Sequence, residues 1–271
     1  MIVRIAAVVV SMGFIAAGAL ASEVPPRGDT YALIVSGIGK DPECRQARDQ
    51  VVRDFSAYLL EKASVKPTRL TVLVPDANAA RISTADRIVE TIRAYASAMT
   101  EADRLVFYYV GQANAVGGSL RFNLPGPDVT HEELAKWLAG IKADSQLAVL
   151  DCPYAAVAAK ALARPGRAVV LASTEEQACA PRFGLHFVPA LARAESDTDH
   201  SGSVSVLEAF AVAAREIERW YQDRQLLPTE TPGIDDNGDG RPSERPWHHE
   251  QDGGDGRWAA GLVLTSTRGG T

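Results

Sequence analysis

The stretch from Asp197 to Glu208 places oxygen-bearing side chains at the spacing of a twelve-residue EF-hand calcium loop. Gly202 stands at the sixth position, where such a loop must turn sharply, and predicted helices flank the stretch. Calcium is a hard cation that takes six to eight oxygen ligands. The predicted ligands are Asp197, Asp199, Ser201, Ser203 through its carbonyl, Ser205 through water, and Glu208. The pattern predicts calcium as a cofactor, and the alternative is a solvated acidic loop that caps a helix.

A second acidic cluster follows at residues 235–240, with the opening Asp-x-Asn-x-Asp-Gly. Its candidate metal ligands are Asp235, Asn237 and Asp239. Pro242 and Pro246 interrupt the remainder of the loop pattern, and no acid stands at its twelfth position. Because Asp, Asn and Gly also favour tight turns, a metal site and a simple turn explain this cluster equally well.

Two apolar runs, residues 105–110 and 147–150, each end in residues suited to chemistry. The residues that follow these runs are Gln112, Asp151, Cys152 and Pro153. A cysteine is a nucleophile only as its thiolate, and a neighbouring carboxylate such as Asp151 raises the pKa of a thiol. The amide of Gln112 cannot act as a general base near neutral pH, although it can donate hydrogen bonds.

The order of predicted elements indicates an α/β protein with a mostly parallel sheet. Short strands that are apolar throughout alternate with amphipathic helices, as expected for a sheet covered on both faces. The predicted strands are 31–35, 70–74, 105–110, 147–150 and 168–172, and the predicted helices are 43–63, 84–99, 130–140, 154–163, 187–194 and 206–222. Thr130 and Glu133 fit a capping box. In such sheets, ligands bind beyond the carboxyl ends of the strands.

Residues 1–21 have the features of a signal peptide. Arg4 supplies an early positive charge, an apolar run reaches Leu20, and Ala19-Leu20-Ala21 fits the small-x-small cleavage pattern. We therefore expect cleavage after Ala21 and a periplasmic or secreted protein. The alternative is an uncleaved membrane anchor, for which the run is short.

The mature chain divides into three predicted parts. Residues 22–227 form the α/β domain with its loop at 197–208, residues 228–257 form an irregular excursion rich in Gly, Pro and Asp, and residues 258–271 form a C-terminal strand and tail. The formal net charge of −6 argues against nucleic acid as a partner. No second long apolar stretch occurs, so contact with a membrane is expected only during export.

The chain contains three cysteines, Cys44, Cys152 and Cys179. In an exported protein two of the three could pair and leave one free. Cys152 and Cys179 both follow predicted strand ends, so a Cys152–Cys179 disulfide is one hypothesis, although spacing alone does not fix the connectivity. Such a bond would exclude Cys152 as a nucleophile.

Across residues 30–225 the order of elements resembles the caspase-like cysteine peptidases, which include caspases, legumain, gingipain and clostripain. The segments that carry the resemblance are 31–37, 107–111, 123–128, 150–152 and 197–210. The acidic loop, its helix and the later Asp-Asn-Gly-Asp-Gly are similar to a run in bacterial legumain-like proteins. The resemblance implies a caspase-hemoglobinase-like three-layer sandwich, with a mostly parallel central sheet flanked by helices and an EF-hand-like loop.

In that family a His after one strand activates a Cys after another for attack on a peptide carbonyl. Gln112 stands at the His position here and Pro153 at the Cys position, with Cys152 one residue early. The resemblance therefore implies an exported pseudopeptidase, acting as a binding or scaffold protein with a peptide or protein ligand in its former cleft. The alternatives are an active cysteine hydrolase that uses Cys152 with a non-standard base, and an unrelated exported α/β domain with one calcium loop.

Overall fold

The computed structural model of the chain describes residues 28–248 and 254–265. Its strands are β1 (Thr30–Ser36), β2 (Leu70–Leu73), β3 (Arg104–Val110), β4 (Ala113–Val116), β5 (Ser119–Phe122), β6 (Val129–Thr130), β7 (Ser145–Asp151), β8 (Arg167–Leu171) and β9 (Gly233–Asp235). Its α-helices are α1 (Pro42–Glu61), α2 (Ala85–Ala98), α3 (His131–Leu138), α4 (Ala159–Leu162), α5 (Phe183–Ala192), α6 (Val206–Asp223) and α7 (Arg257–Gly261). Short 3-10 turns lie at Pro67–Arg69, Ala155–Ala158 and Ala194–Ser196.

Six strands form the central sheet in the order β2-β1-β3-β7-β8-β9. The first five of these run parallel, and β9 pairs antiparallel with β8. A separate antiparallel sheet, β4-β5-β6, follows β3. Every residue of β3 is buried, as expected for a strand covered on both sides. The predicted α/β sandwich with a mostly parallel central sheet is confirmed.

Two apolar layers flank the sheet because successive side chains along a strand point to opposite faces. On one face, Tyr108 and Val149 pack with apolar residues of α1, α5 and α6. On the other face, Phe107 and Leu150 pack with α2, α3 and α4. Helix α5 contacts both α1 and α6, so these three helices form one continuous layer over the sheet.

Local capping residues set where several helices begin. The side chain of Asp41 accepts from the Cys44 N–H at the start of α1, and Thr84 caps α2. Thr130 and Glu133 form the predicted capping box at α3. A second capping box, between Ser205 and Glu208, begins α6 inside the acidic loop. These short-range bonds explain why the helix starts follow closely from the sequence.

The C-terminal part differs from its prediction. The apolar run at 258–264 was expected to be a strand, but residues 257–261 form α7. The cause is the Asp236 carboxylate, which accepts from the N–H groups of Gly256 and Ala259 and so binds the start of this helix. The excursion at 228–257 is not wholly irregular either, since it supplies β9, whose three residues are too few to show a periodic pattern.

The segment between β3 and α3 also departs from expectation. No element was predicted between the strand at 105–110 and the helix at 130–140, yet this segment folds into the three short strands of the second sheet. Asn114 and Arg121 pair across this hairpin, and Gly117 and Gly118 adopt positive φ at its tip. The predicted helix at 154–163 is divided into a 3-10 turn and α4.

No helix among the described residues has both the length and the apolar character needed to cross a membrane. The predicted signal peptide, residues 1–21, lies outside the described residues.

Phe55→Ala should destabilise the fold strongly. The Phe55 side chain is fully buried and its ring lies 4.9 Å from that of Tyr108. Removing a buried aromatic ring costs about 3–5 kcal/mol because a cavity remains. Urea unfolding measures this loss, and Leu60→Ala on the same helix is the control, since Leu60 is 38% exposed. Equal losses in the two variants would contradict the placement of α1.

Candidate functional site

A cleft of about 340 Å³ lies at the carboxyl edge of the sheet. The ends of β3 and β7 contribute Gln112 and Asp151 to its wall. The first turn of α1 contributes Cys44, and the segment leading into α5 contributes Cys179 and Arg182. This is the edge at which open parallel sheets bind their ligands, and it contains two of the four strand-end residues that the sequence singled out, Gln112 and Asp151, together with Cys44 and Cys179.

Gln112 is held mainly by its backbone. Its N–H donates to the Ile38 carbonyl at 2.8 Å, and its carbonyl accepts from the Tyr109 hydroxyl at 2.6 Å. The side-chain amide makes a long contact of 3.3 Å to the carbonyl of Ala113. The side-chain amide is not basic near neutral pH. Gln112 can therefore orient a ligand by hydrogen bonds but cannot accept a proton from it.

The side chain of Asp151 is a buried carboxyl group, and only one of its two oxygens accepts hydrogen bonds from described residues. Its Oδ2 accepts from the Tyr108 hydroxyl at 3.1 Å, and the Gly184 N–H also donates to the carboxyl. Within the described residues, Oδ1 has no hydrogen-bond partner. Burial, and then the nearby Glu230 carboxylate, raise the pKa of Asp151 to about 8. The cleft therefore contains a buried carboxyl group that forms no ion pair with any described residue, although Arg48 and Arg182 line the same cleft.

Cys152 and Pro153 do not line the cleft. Asp151 ends β7 on the side of α1 and α5, and the next residue, Cys152, packs in the apolar layer on the other side of the sheet. The Cys152 side chain has no exposed surface, and burial followed by the Asp151 charge raises the pKa of its thiol well above the usual value. Pro153 is buried as well.

The three cysteines are free thiols, so the hypothesis of a Cys152–Cys179 disulfide is wrong for this structure. The reason is the alternation of side chains at the end of β7. Cys152 lies in the apolar layer, while Cys179 is exposed and lines the cleft. Two residues that each follow a strand end can therefore lie on different sides of the sheet, as Cys152 and Cys179 do.

Glu230 supports the wall of the cleft from outside its lining, and the sequence analysis missed it. It is buried, and its carboxylate accepts from the Arg182 N–H at 2.7 Å and the Tyr221 hydroxyl at 3.2 Å. Burial raises the pKa of Glu230 to about 7. Because Glu230 binds the N-terminal end of α5, that helix begins at Phe183, four residues before its predicted start. No local signal marks Glu230, because its partners lie 48 and 9 residues away.

The predicted calcium loop brings three carboxylates together. Oxygen atoms of Asp197, Asp199 and Glu208 lie within 4.8 Å of one another, and no other such group of three metal-ligating side chains occurs in the described part of the chain. The Asp197 carboxylate accepts from the N–H of Gly202 at 2.8 Å, and Gly202 adopts φ of +89°. The glycine is needed there because other residues rarely adopt this conformation.

Ser201, Ser203 and Ser205 occupy the remaining candidate ligand positions of the loop. The Ser201 N–H donates to both Asp197 and Asp199, and its hydroxyl contacts the Ser203 carbonyl. Glu208 closes the loop by accepting from the Thr198 N–H through Oε1 and from the Ser205 hydroxyl through Oε2. Hydrogen bonds to the Glu208 carboxylate lower its pKa despite its partial burial, so the group is ionised and able to bind a cation.

The loop that begins at Asp235 has the same pattern of hydrogen bonds as the loop at 197–208. Asp235 accepts from the Gly240 N–H at 2.7 Å, as Asp197 does from Gly202, and Gly240 adopts φ of +76°. The Asn237 side chain accepts from the Asp239 N–H at 2.8 Å, which matches the bond from Ser201 to Asp199. The two loops therefore agree at positions one, three, five and six.

Asp255 takes the place that Glu208 holds in the first loop. Its Oδ1 accepts from the N–H groups of Asp236 and Asn237, the second and third positions. Its Oδ2 accepts from the hydroxyl of Ser243, the ninth position, at 2.8 Å. Sequence spacing missed Asp255 because it stands 20 residues after Asp235. Burial raises the pKa of Asp255 to about 6 and that of Asp235 above its usual value.

No family model matches the chain, and no curated protein matches it. Among solved structures, the chain is similar to the crystal structure of the Drosophila initiator caspase Dronc. The match has a TM-score of 0.42 and 10% sequence identity, and it covers 79% of this chain and 81% of that chain. It is a likeness in the arrangement of helices and strands, and it assigns no role to any residue of the cleft.

The raised pKa of Asp151 predicts that stability falls as pH rises. Between its unfolded pKa near 3.8 and its folded pKa of about 8, the folded state keeps a proton that the unfolded state loses. One such proton changes the unfolding free energy by about 1.4 kcal/mol per pH unit. Glu230 acts in the same direction up to about pH 7.

Asp151→Asn should therefore flatten the decline in unfolding free energy measured by urea titration between pH 5 and 7.5. The amide keeps the shape of the carboxyl and an acceptor for Tyr108, but it has no proton to lose. Asp223→Asn, an exposed acid at the end of α6, is the matched control and should leave the slope unchanged. If the unfolding free energy of Asp151→Asn declines with pH as steeply as that of the wild type, the raised pKa of Asp151 is contradicted.

Proposed function

We propose that the chain is an exported protein with a caspase-like fold whose cleft binds a peptide segment without cleaving it. The observation that carries this proposal is the chemistry of the two strand ends. They present an amide, Gln112, and a carboxyl, Asp151, while Cys152, the thiol that follows Asp151 in the chain, is buried on the other face of the sheet. The proposal that the protein is exported rests on the predicted signal peptide. Mass spectrometry of the mature protein should find Ser22 as its first residue.

Cleavage of a peptide by cysteine chemistry needs a thiolate that reaches the carbonyl carbon and a base that takes the thiol proton. The thiol of Cys152 has neither access to the cleft nor a lowered pKa. Gln112 cannot replace the base. Cys44 and Cys179 do line the cleft, but burial and the Asp41 carboxylate raise the pKa of Cys44, and no histidine is among the described residues that line the cleft with them. These features support a role in binding or in scaffolding rather than in hydrolysis.

The ligand class follows from Asp151. A buried carboxyl group that has an unused oxygen and forms no ion pair with a described residue is stabilised by a ligand that brings positive charge and hydrogen-bond donors. A lysine or arginine side chain of a bound peptide supplies both, and the cleft volume is at the lower end of the range for small-ligand sites. Because a cation favours the ionised carboxylate, binding should release the Asp151 proton and strengthen as pH rises from 6 to 8.

We also propose that both acidic loops bind calcium and stabilise the domain. In the first loop the convergence of Asp197, Asp199 and Glu208 supports this. In the second loop the support is the repeated hydrogen-bond plan, with Asp255 in place of the twelfth ligand. Oxygen atoms of carboxylates, amides and carbonyls are the ligands that calcium prefers. The ions would supply positive charge between the carboxylates of each loop.

Wild-type protein should bind lysine- or arginine-containing peptides from a fluorescent library and leave them intact. Asp151→Asn should weaken this binding about tenfold, as expected when one buried charged hydrogen bond is lost, and Asp223→Asn should not. Fluorescence anisotropy measures binding, and mass spectrometry of the recovered peptide measures cleavage. Cleaved peptide that disappears in Cys152→Ser would overturn the proposal in favour of a hydrolase.

Calcium should raise the melting temperature of the mature protein. With a dissociation constant of about 10⁻⁴–10⁻³ M, typical of extracellular modules, 10 mM calcium adds roughly 1–3 kcal/mol per site. That corresponds to a shift of several degrees in differential scanning calorimetry. Magnesium at the same concentration controls for ionic strength.

Variants of Glu208 and Asp255 distinguish the contributions of the two loops to this shift in melting temperature. Glu208→Gln should lose one part of the calcium-dependent shift, Asp255→Asn the other part, and the double variant all of it. Glu218→Gln, an exposed acid on α6, should keep the full shift. If calcium does not change the melting temperature of the wild type, both proposed sites are excluded. If Asp255→Asn keeps the full shift, the second site is excluded.

A further inference from the structure

Two of the three thiols face the same cleft. Cys44 lies in the first turn of α1, Cys179 lies between β8 and α5, and both line the cavity that contains Asp151. Cys179 is exposed and Cys44 is partly buried, whereas Cys152 is sealed in the apolar layer across the sheet. The thiols that a solution oxidant can reach are therefore Cys44 and Cys179.

The two sides of the cleft are held differently. On one side, the Cys44 N–H donates to the Asp41 carboxylate at 2.8 Å, so Cys44 is fixed at the start of a long helix. On the other side, Gln177 and Arg182 are anchored by bonds to Thr231 and Glu230. Between these anchors, none of the described backbone hydrogen bonds involves residues 178–180. This short segment can move towards α1 without breaking a backbone bond.

We propose that Cys44 and Cys179 form a reversible disulfide that fastens residues 178–181 to α1 and narrows the cleft. The structure shows the reduced form, in which both thiols are free. A disulfide requires the two Cα atoms to lie about 4.4–6.8 Å apart, and movement of the unanchored segment provides this approach. The bond itself is independent of the function proposed above, while its effect on peptide binding rests on that function.

The oxidation proceeds by thiol–disulfide exchange with a small-molecule disulfide such as oxidised glutathione. The Cys179 thiolate attacks one glutathione sulfur, a mixed disulfide forms, and the first glutathione leaves as its thiolate. The Cys44 thiolate then attacks the Cys179 sulfur and expels the second glutathione. The two cysteines lose two electrons and two protons in total, the electrons reduce oxidised glutathione, and the protons pass to the released thiolates and solvent.

The order of these steps follows from exposure. Cys179 is open to solvent, so it meets the oxidant first. Burial, followed by the Asp41 carboxylate, raises the pKa of Cys44, which makes it the slower nucleophile in solution. Once the mixed disulfide is in place, Cys44 reacts with a sulfur that is already in the same cleft. Cys44 is thus the resolving thiol.

The test uses the reduced mature protein in glutathione redox buffers, followed by alkylation, digestion without reductant and mass spectrometry. The wild type and Cys152→Ser should both give a linked Cys44–Cys179 peptide that dithiothreitol removes. Cys44→Ser should instead retain one glutathione on Cys179. A wild type that retains glutathione on Cys179 without the linked peptide would overturn the proposal, as would a link that involves Cys152.

A second measurement tests the narrowing. Oxidised wild-type protein should bind a lysine-containing peptide about tenfold more weakly than reduced protein. The double variant Cys44→Ser/Cys179→Ser, which can carry neither the link nor a glutathione in the cleft, should show no such difference. Equal binding by both forms, with the link present, would contradict the narrowing. If neither form binds the peptide, the proposed function fails, and the peptide map still decides whether the disulfide forms.

Discussion

Strand β7 is buried on both faces, and successive side chains along it point to opposite sides of the sheet. Asp151 consequently reaches the cleft between α1 and α5, and Cys152 enters the apolar layer formed with α2, α3 and α4. Moving the sulfur into the cleft would need a one-residue shift of the strand, which would also place every apolar residue of β7 on the wrong face. The packing of the sheet therefore decides which chemistry is available at its edge.

The same constraint explains the electrostatics of the cleft. Asp151 ends a buried strand, and the Gly184 N–H meets its carboxyl at the start of α5. A methyl group on Gly184 would lie 2.2 Å from Asp151 Oδ2, so only glycine allows the helix to approach this closely. Glu230 binds the same helix end from a different segment. Two carboxyl groups thus share one helix terminus, and burial raises the pKa of both.

Features that depend on neighbours in the chain were predictable from the sequence. The buried strands, the capping box at Thr130 and the acidic loop at 197–208 each arise from residues a few positions apart. Features that depend on distant segments were not. Asp255 joins its loop from 20 residues away, and the Asp236 carboxylate turns a seemingly strand-like run into α7. Spacing within one segment carries no information on such contacts.

The central sheet is widest in the middle and tapers at its two borders. The inner strands β1, β3 and β7 each have seven residues, but β2 has four and β9 only three. Short border strands present few free backbone groups to another chain. The borders of the central sheet therefore offer little template for strand-to-strand association between copies.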